Sequence, residues 1–233
     1  MNAIILAAGL GSRFKDITRK THKALLPILG EPNIERTIKY LREANINDIY
    51  IVTGHLSEQF SYLKDKYGCH ILYNEKYSEY NSIYSFHIAR EIFNDSYVID
   101  ADVVLFKNIF LKSPRKSFYF VIERPYSDEK EWIPELDNNK KIINIKVSNE
   151  VKPSLLGVSY WQKKDCEKIK SELKNYLSNA LLVNSKLYWD NIPMNMISDL
   201  DVTTALISLE DGYEMDKWEH YQFIINKINK EKL

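Results

Sequence analysis

Along the first hundred residues, short apolar runs alternate with stretches whose apolar residues recur every three to four positions. Residues 3–7 are apolar and uncharged, as in a strand buried on both faces of a sheet. Residues 33–44 carry Ile34, Ile38 and Leu41 at helical spacing with charges between them. Residues 48–53 read as a strand, Ser57 caps a helix with Phe60 and Leu63 on one face, and residues 70–73 form a short strand. Asn81 then caps a helix that turns Ile83, Phe86, Ala89 and Phe93 inward, ahead of a strand over residues 97–101. Strands separated by helices imply right-handed crossovers and a parallel sheet covered on both faces. The later pattern is different. Residues 117–123, 141–147 and 155–160 read as closely spaced strands, 163–177 as a helix and 217–230 as a closing helix. This portion extends the same sheet, so residues 1–233 read as a single domain.

Composition narrows the picture. The 233 residues are 45% hydrophobic and 27% charged with a formal net charge of zero, which describes an ordinary globular chain. A general nucleic-acid binder would be basic, so no nucleic-acid partner is expected. No apolar stretch approaches the ~20 residues of a membrane span, and the run at residue 3 is too short for a secretory signal. Cys69 and Cys166 have neither metal-ligand nor redox spacing, which fits a reducing cytoplasm. Nothing in the pattern fixes an oligomeric state.

The candidate chemistry begins where the first strand ends. The string Leu6-Ala7-Ala8-Gly9-Leu10-Gly11-Ser12-Arg13 enters a glycine loop, and Lys23 follows. Gly9 and Gly11 let backbone N–H groups approach phosphate oxygens, Arg13 offers a planar fork of donors and Lys23 a point charge. The loop is neither common phosphate fingerprint: Phe14 stands where a third glycine would, and no Gly-Lys-Ser/Thr follows. Taken alone, a glycine turn with two solvated cations is the plainer reading. Asp100 and Asp102 form a D-x-D at a strand's carboxyl end, on one face if both are in the strand. Such carboxylates suit Mg²⁺ held against phosphate oxygens, and equally an ordinary turn. Asp216 lies just before the closing helix, where it is a metal ligand, a helix cap, or both. Aromatic residues accompany acids at Glu131-Trp132 and at Tyr188-Trp189-Asp190. That combination suits a quaternary ammonium, which rings and a carboxylate hold through cation–π contacts of ~0.5–2 kcal/mol. Each ring by itself is as readily core.

The residues from Leu6 to Arg13, with Thr18, Lys23, Ala24 and Leu25, resemble the signature of nucleotidyltransferases that activate sugar phosphates and related phosphates. Asp16 and His22 stand where that family carries proline, which implies a different and looser path before Lys23. The segments Asn74-Glu75-Lys76-Tyr77, Tyr80-Asn81-Ser82-Ile83-Tyr84-Ser85, Val98-Ile99-Asp100-Ala101-Asp102, Tyr188-Trp189-Asp190-Asn191 and Glu214-Met215-Asp216 resemble, more narrowly, the bacterial CTP:phosphocholine cytidylyltransferase family. The resemblance implies an α/β fold with a Rossmann-like mixed, mostly parallel sheet flanked by helices. It implies a nucleotide-binding half over 1–110 and an acceptor-binding half over 111–233. It implies Mg²⁺ on Asp102 and Asp216, catalytic Lys23 and Arg13, and nucleotide contacts from Leu6, Ala8, Gly9, Gly11, Ser12, Arg13, Asn81, Ser82 and Ser85. Choline would meet Trp132, Tyr188, Trp189, Asp190 and Glu214. The implied reaction joins CTP to phosphocholine, in the service of bacterial cell-surface phosphocholine decoration. Asn81 as a plain helix cap stays open. Three other readings have distinct signatures. A sugar-1-phosphate nucleotidyltransferase would ignore phosphocholine, a D-x-D glycosyltransferase would consume a nucleotide sugar, and a regulatory module would bind CTP without releasing pyrophosphate.

Overall fold

The computed structural model describes residues 1–14 and 16–230, with the side chains of residues 229 and 230 excepted. The first portion runs β1 (Asn2–Ala7), a short ladder of β2 (Pro27–Ile28) with β3 (Glu31–Pro32), α1 (Asn33–Glu43), β4 (Ile49–Thr53), α2 (Tyr62–Tyr67), β5 (His70–Tyr73), α3 (Ser82–Ile88), β6 (Ser96–Asp100) and β7 (Val103–Leu105). The second runs β8 (Ser117–Glu123), β9 (Glu131–Leu136), β10 (Ile142–Ser148), β11 (Pro153–Trp161), α4 (Lys163–Leu173), α5 (Asn179–Leu182), α6 (Asn191–Asn195), β12 (Val202–Ile207), β13 (Gly212–Glu214) and α7 (Trp218–Lys230).

Seven strands form one sheet in the order β12-β8-β11-β6-β1-β4-β5. β6, β1, β4 and β5 are mutually parallel, β8 and β12 are parallel, and β11 joins the two groups antiparallel to both β6 and β8. The expected mixed, mostly parallel α/β sheet is therefore present, and β8, β11 and β12 extend it, but the strand expected over 141–147 does not join it. β9 and β10 form a separate antiparallel pair.

The period of two along β1 decides what packs on each face. Ala3, Ile5 and Ala7 turn to one side and meet Ile34, Ile38 and Leu41 of α1 together with Phe60 and Leu63. Ile4 and Leu6 turn to the other and meet Ile83 and Phe86 of α3, with Trp161, Cys166 and Ile169 further along the face. A third cluster sits beyond the sheet, where Ile224 and Ile228 of α7 cover Phe14, Ile28, Val104 and Met215. That docking holds the closing helix over the loop that follows β1. Cys69 and Cys166 are free and buried. Among the described residues, no helix is long and apolar enough to cross a membrane.

Three helix expectations need correction. The helix capped by Asn81 ends at Ile88, so Ala89 and Phe93 are buried beyond it rather than on its face. The helix at Ser57 is a short 3-10 turn, Ser57–Phe60, followed by α2. The helix over 163–177 ends its α-helical course at Leu173 and continues as a 3-10 turn to Tyr176. Phe60 and Leu63 are both buried as the periodicity requires, so the apolar face survives the change in winding.

Candidate active site

The carboxyl ends of β1 and β6 open into a cavity of about 420 Å³. In open α/β sheets ligands bind at this edge, beyond the carboxyl ends of the strands. The loop after β1 turns its carbonyls into the protein. Ala8 O accepts the His55 N–H at 3.2 Å, and Gly9 O accepts from His22 Nε2 at 3.2 Å. Gly11 O accepts the Phe14 N–H at 2.9 Å and the Thr18 hydroxyl at 3.0 Å. In a planar trans peptide the next N–H points the opposite way. The N–H groups of Gly9, Leu10 and Ser12 therefore face away from these partners, the arrangement that anion-binding loops use. Gly11 has φ +61°, and a Cβ there would lie 2.9 Å from Thr18 Cγ2, so glycine is required.

The slack expected from Asp16 and His22 is absent. Gln59 accepts the His22 N–H at 3.0 Å and donates to Lys20 O at 2.7 Å. His55 donates to Thr18 O at 2.5 Å. Side-chain hydrogen bonds from the segment after β4 do the holding that rigid prolines would otherwise do.

Two carboxylates face these cations. Lys23 Nζ lies 2.5 Å from Asp102 Oδ2, and Arg13 lies 3.0 Å from Asp216 Oδ1. Asp102 does not share a strand face with Asp100, because β6 ends at Asp100 and Asp102 lies in the following turn. The cause is local. Asn33 Nδ2 donates to Val103 O at 2.8 Å and to Ala101 O at 3.4 Å, and the chain leaves the sheet as β7 to pair with β13. That ladder, closed by the Met215 N–H on Asp102 O at 2.9 Å, brings Asp216 beside Asp102. Burial and then the Asp102 charge push the Asp216 carboxyl up, against Arg13 and Lys23. Burial works to lower the Lys23 pKa, but Asp102 outweighs it and holds the ammonium above its ordinary range.

The opposite end of the cavity is aromatic and acidic. The Trp132 and Tyr188 rings lie 5.8 Å apart, edge to face, and Tyr188 is 48% exposed. Tyr119 donates its hydroxyl to Asp190 at 3.0 Å. Burial pushes Asp190 up to about 7. Burial, helped by Asp216, Asp102 and Glu131 and opposed by Arg124, pushes Glu214 up to about 8. Burial and the charges of Asp190 and Asp102 raise Asp100 well above the usual carboxylate range. Gly157 leaves room beside it, since a Cβ would meet Asp100 at 3.0 Å. Six carboxyl groups and three cationic side chains, Arg13, Lys23 and Lys130, border the cavity.

Of the residues singled out from the sequence, all but Gly11 and Ser12 border this cavity. Gly11 shapes the loop from behind, and Ser12 faces a shallow depression beside His55. Trp189 borders the cavity but is a core side chain: it is 3% exposed, stacked on Phe86 at 4.9 Å, with Trp161 at 6.1 Å. Asn81 spends its amide on structure, accepting the Ile83 N–H and donating to Leu181 O and Asn184 O. Ser82 accepts the Trp189 N–H, and Ser85 accepts from Asn74. The sequence reading missed Arg124, which ion-pairs with Glu214 and, at 3.8 Å, with Glu131. Its only signal was an Arg-Pro pair closing a strand. Among the described residues no group of three or more His, Cys, Asp or Glu side chains is arranged to hold a metal ion. Asp102 and Asp216 supply hard oxygen donors that fit Mg²⁺ once substrate oxygens complete the shell.

A glycine loop with two cations, a facing carboxylate pair and this sheet order define a nucleotidyltransferase. Residues 3–113 match the MobA-like NTP transferase domain. The choline-phosphate cytidylyltransferase of Haemophilus influenzae is 55% identical over 234 residues, covering 100% of both chains. That of Streptococcus pneumoniae is 40% identical over 222 residues, covering 95% of this chain and 96% of its own. A solved structure of the CTP:phosphocholine cytidylyltransferase from Streptococcus pneumoniae superposes with a TM-score of 0.92 at 39% identity, covering 97% of this chain and 98% of that one. The chain belongs to the choline-phosphate cytidylyltransferase family.

Proposed function

We propose that this protein transfers the cytidylyl group of CTP to phosphocholine, giving CDP-choline and pyrophosphate. The observation that carries the reading is the single cavity, which joins the phosphate loop, the Asp102–Asp216 pair and the aromatic, acidic end. The full-length identity to choline-phosphate cytidylyltransferases supports it.

A phosphocholine oxygen attacks the α-phosphorus in line. The new P–O bond forms as the bond to the β-phosphate bridging oxygen breaks, and pyrophosphate leaves with the electron pair. A phosphate monoester has a second pKa near 6, so the nucleophile is mostly dianionic at neutral pH and needs no general base. Catalysis is positioning and charge stabilisation. Lys23 and Arg13 move from their carboxylate partners to phosphate oxygens, Lys23 toward the α-phosphate or incoming phosphate and Arg13 toward pyrophosphate. Nucleotidyltransferases of this kind use a divalent metal ion; Asp102 and Asp216 would hold it, as Mg²⁺, and it would supply neutralisation of phosphate charge. The trimethylammonium group rests against the corner formed by the Trp132 and Tyr188 rings, with Asp190 and Glu214 giving up their protons as the cation arrives. Two free, buried cysteines suit a reducing cytoplasm.

The test is pyrophosphate release across CTP, UTP, GTP and dTTP, each with phosphocholine, phosphoethanolamine and a sugar-1-phosphate panel, with and without Mg²⁺. CTP with phosphocholine is the expected best pair. Preference for a sugar-1-phosphate would overturn the reading.

A further inference from the structure

His22 is buried, 1% exposed, yet both ring nitrogens are committed. Nδ1 accepts the Ala24 N–H at 3.1 Å. An accepting nitrogen carries no hydrogen, so in the neutral ring the hydrogen sits on Nε2, which faces Gly9 O at 3.2 Å. Phe60 packs edge-on against the ring at 4.9 Å. Burial, and after it the Lys23 charge, push the imidazole pKa down to about 4, so the ring stays neutral.

We propose that His22 is a positioning residue that locks the phosphate loop and the Lys23 turn into one unit. One ring nitrogen fixes each part. The Nε2 bond to Gly9 O stops the Gly9–Leu10 peptide from flipping. A flip would turn a carbonyl toward the triphosphate in place of the Leu10 N–H, an acceptor against an anion. The Nδ1 bond caps the 3-10 turn Lys23–Leu25, from which Lys23 reaches Asp102. The imidazole ring spans the two at a set distance. A proline at position 22 would stiffen the chain but could bond to neither group. The assignment rests on the nucleotide reading above for what the loop binds, while the lock itself rests on the two hydrogen bonds.

Two half-replacements separate the two bonds. His22→Asn keeps an acceptor at the Nδ1 position and removes the donor to Gly9. His22→Gln places an amide nitrogen at the Nε2 position and removes the cap. His22→Asn is expected to weaken CTP binding about ten-fold by calorimetry with a smaller change in kcat. His22→Gln is expected to hold CTP binding within about two-fold and to lower kcat about ten-fold. Variants that match each other, or match wild type, on both readouts would overturn the assignment. A measurement on the wild-type protein stands if either variant fails to fold. Imidazole ¹⁵N NMR is expected to show a neutral, Nε2-protonated His22 from about pH 5.5 to about pH 8.5. A ring that titrates within that range, or carries its hydrogen on Nδ1, refutes the lock. Absence of CTP binding by the wild-type protein would instead refute the nucleotide reading and leave the NMR result to judge the lock.

Discussion

Trp189→Ala separates packing from recognition at the aromatic end of the cavity. The indole is 3% exposed, stacked on Phe86 with ring centroids 4.9 Å apart and planes 30° from parallel, and it meets Trp161 edge-on at 6.1 Å. Removing a buried tryptophan side chain costs about 3–5 kcal/mol, because transfer free energy is lost and the cavity left behind closes only in part. A domain's total stability is about 5–15 kcal/mol, so the loss is a large share of it. At about 2–4 °C per kcal/mol for a chain of this size, the melting temperature should fall by about 10 °C. Tyr188→Ala is the control. That ring is 48% exposed, so truncation should cost under about 1 kcal/mol while raising the phosphocholine KM several-fold. The assay pairs thermal melts with steady-state pyrophosphate release for each variant. Trp189→Ala melting within about 2 °C of wild type would refute the core assignment. Tyr188→Ala with an unchanged phosphocholine KM would remove that ring from the acceptor site.

Lys23→Ala should lower kcat by about 10²- to 10³-fold and leave both substrate KM values within about three-fold, since its charge acts where charge develops; steady-state kinetics near wild type would exclude it from the reaction. Glu214 and Asp190, raised to about 8 and about 7 mainly by burial, bind protons in the folded protein that the unfolded chain has already released. Below about pH 6.5 the buried His22, lowered to about 4, works the other way, so stability of the ligand-free protein should fall between about pH 6.5 and about pH 8, and urea melts showing a flat or rising trend there would contradict this. Gly54→Ala would put a Cβ 2.4 Å from Tyr77 Cβ and 2.8 Å from the Ala8 carbonyl. It should cost about 1–3 kcal/mol and raise the CTP KM by disturbing the start of the phosphate loop, which melts and CTP titration would measure.

The sheet's first half was legible because its strands are short, apolar and separated by turns of helix with one buried face. Residues 70–73 and 117–123 match β5 and β8 residue for residue. β12 was not legible, because Thr203 and Thr204 break up its apolar run. β7 and β13 are three residues each and exist only as each other's partners, across more than a hundred residues of chain. The cavity's identities could be read from motifs, but not its pairings. No local pattern places Arg124 against Glu214, or Asn33 beneath the Asp102 turn, because those contacts depend on how separate elements meet. Trp189 shows the opposite limit: a motif marks it as a site residue, while packing makes it core.

The pairing of β7 with β13 has a consequence for synthesis. Residues near the middle of the chain supply one acidic wall and residues near its far end supply the other. At about 5–20 residues per second, a ribosome needs several seconds to travel between them. During that interval Asp102 has no Asp216 to face. The acidic pair therefore cannot form until the later of the two strands has been made.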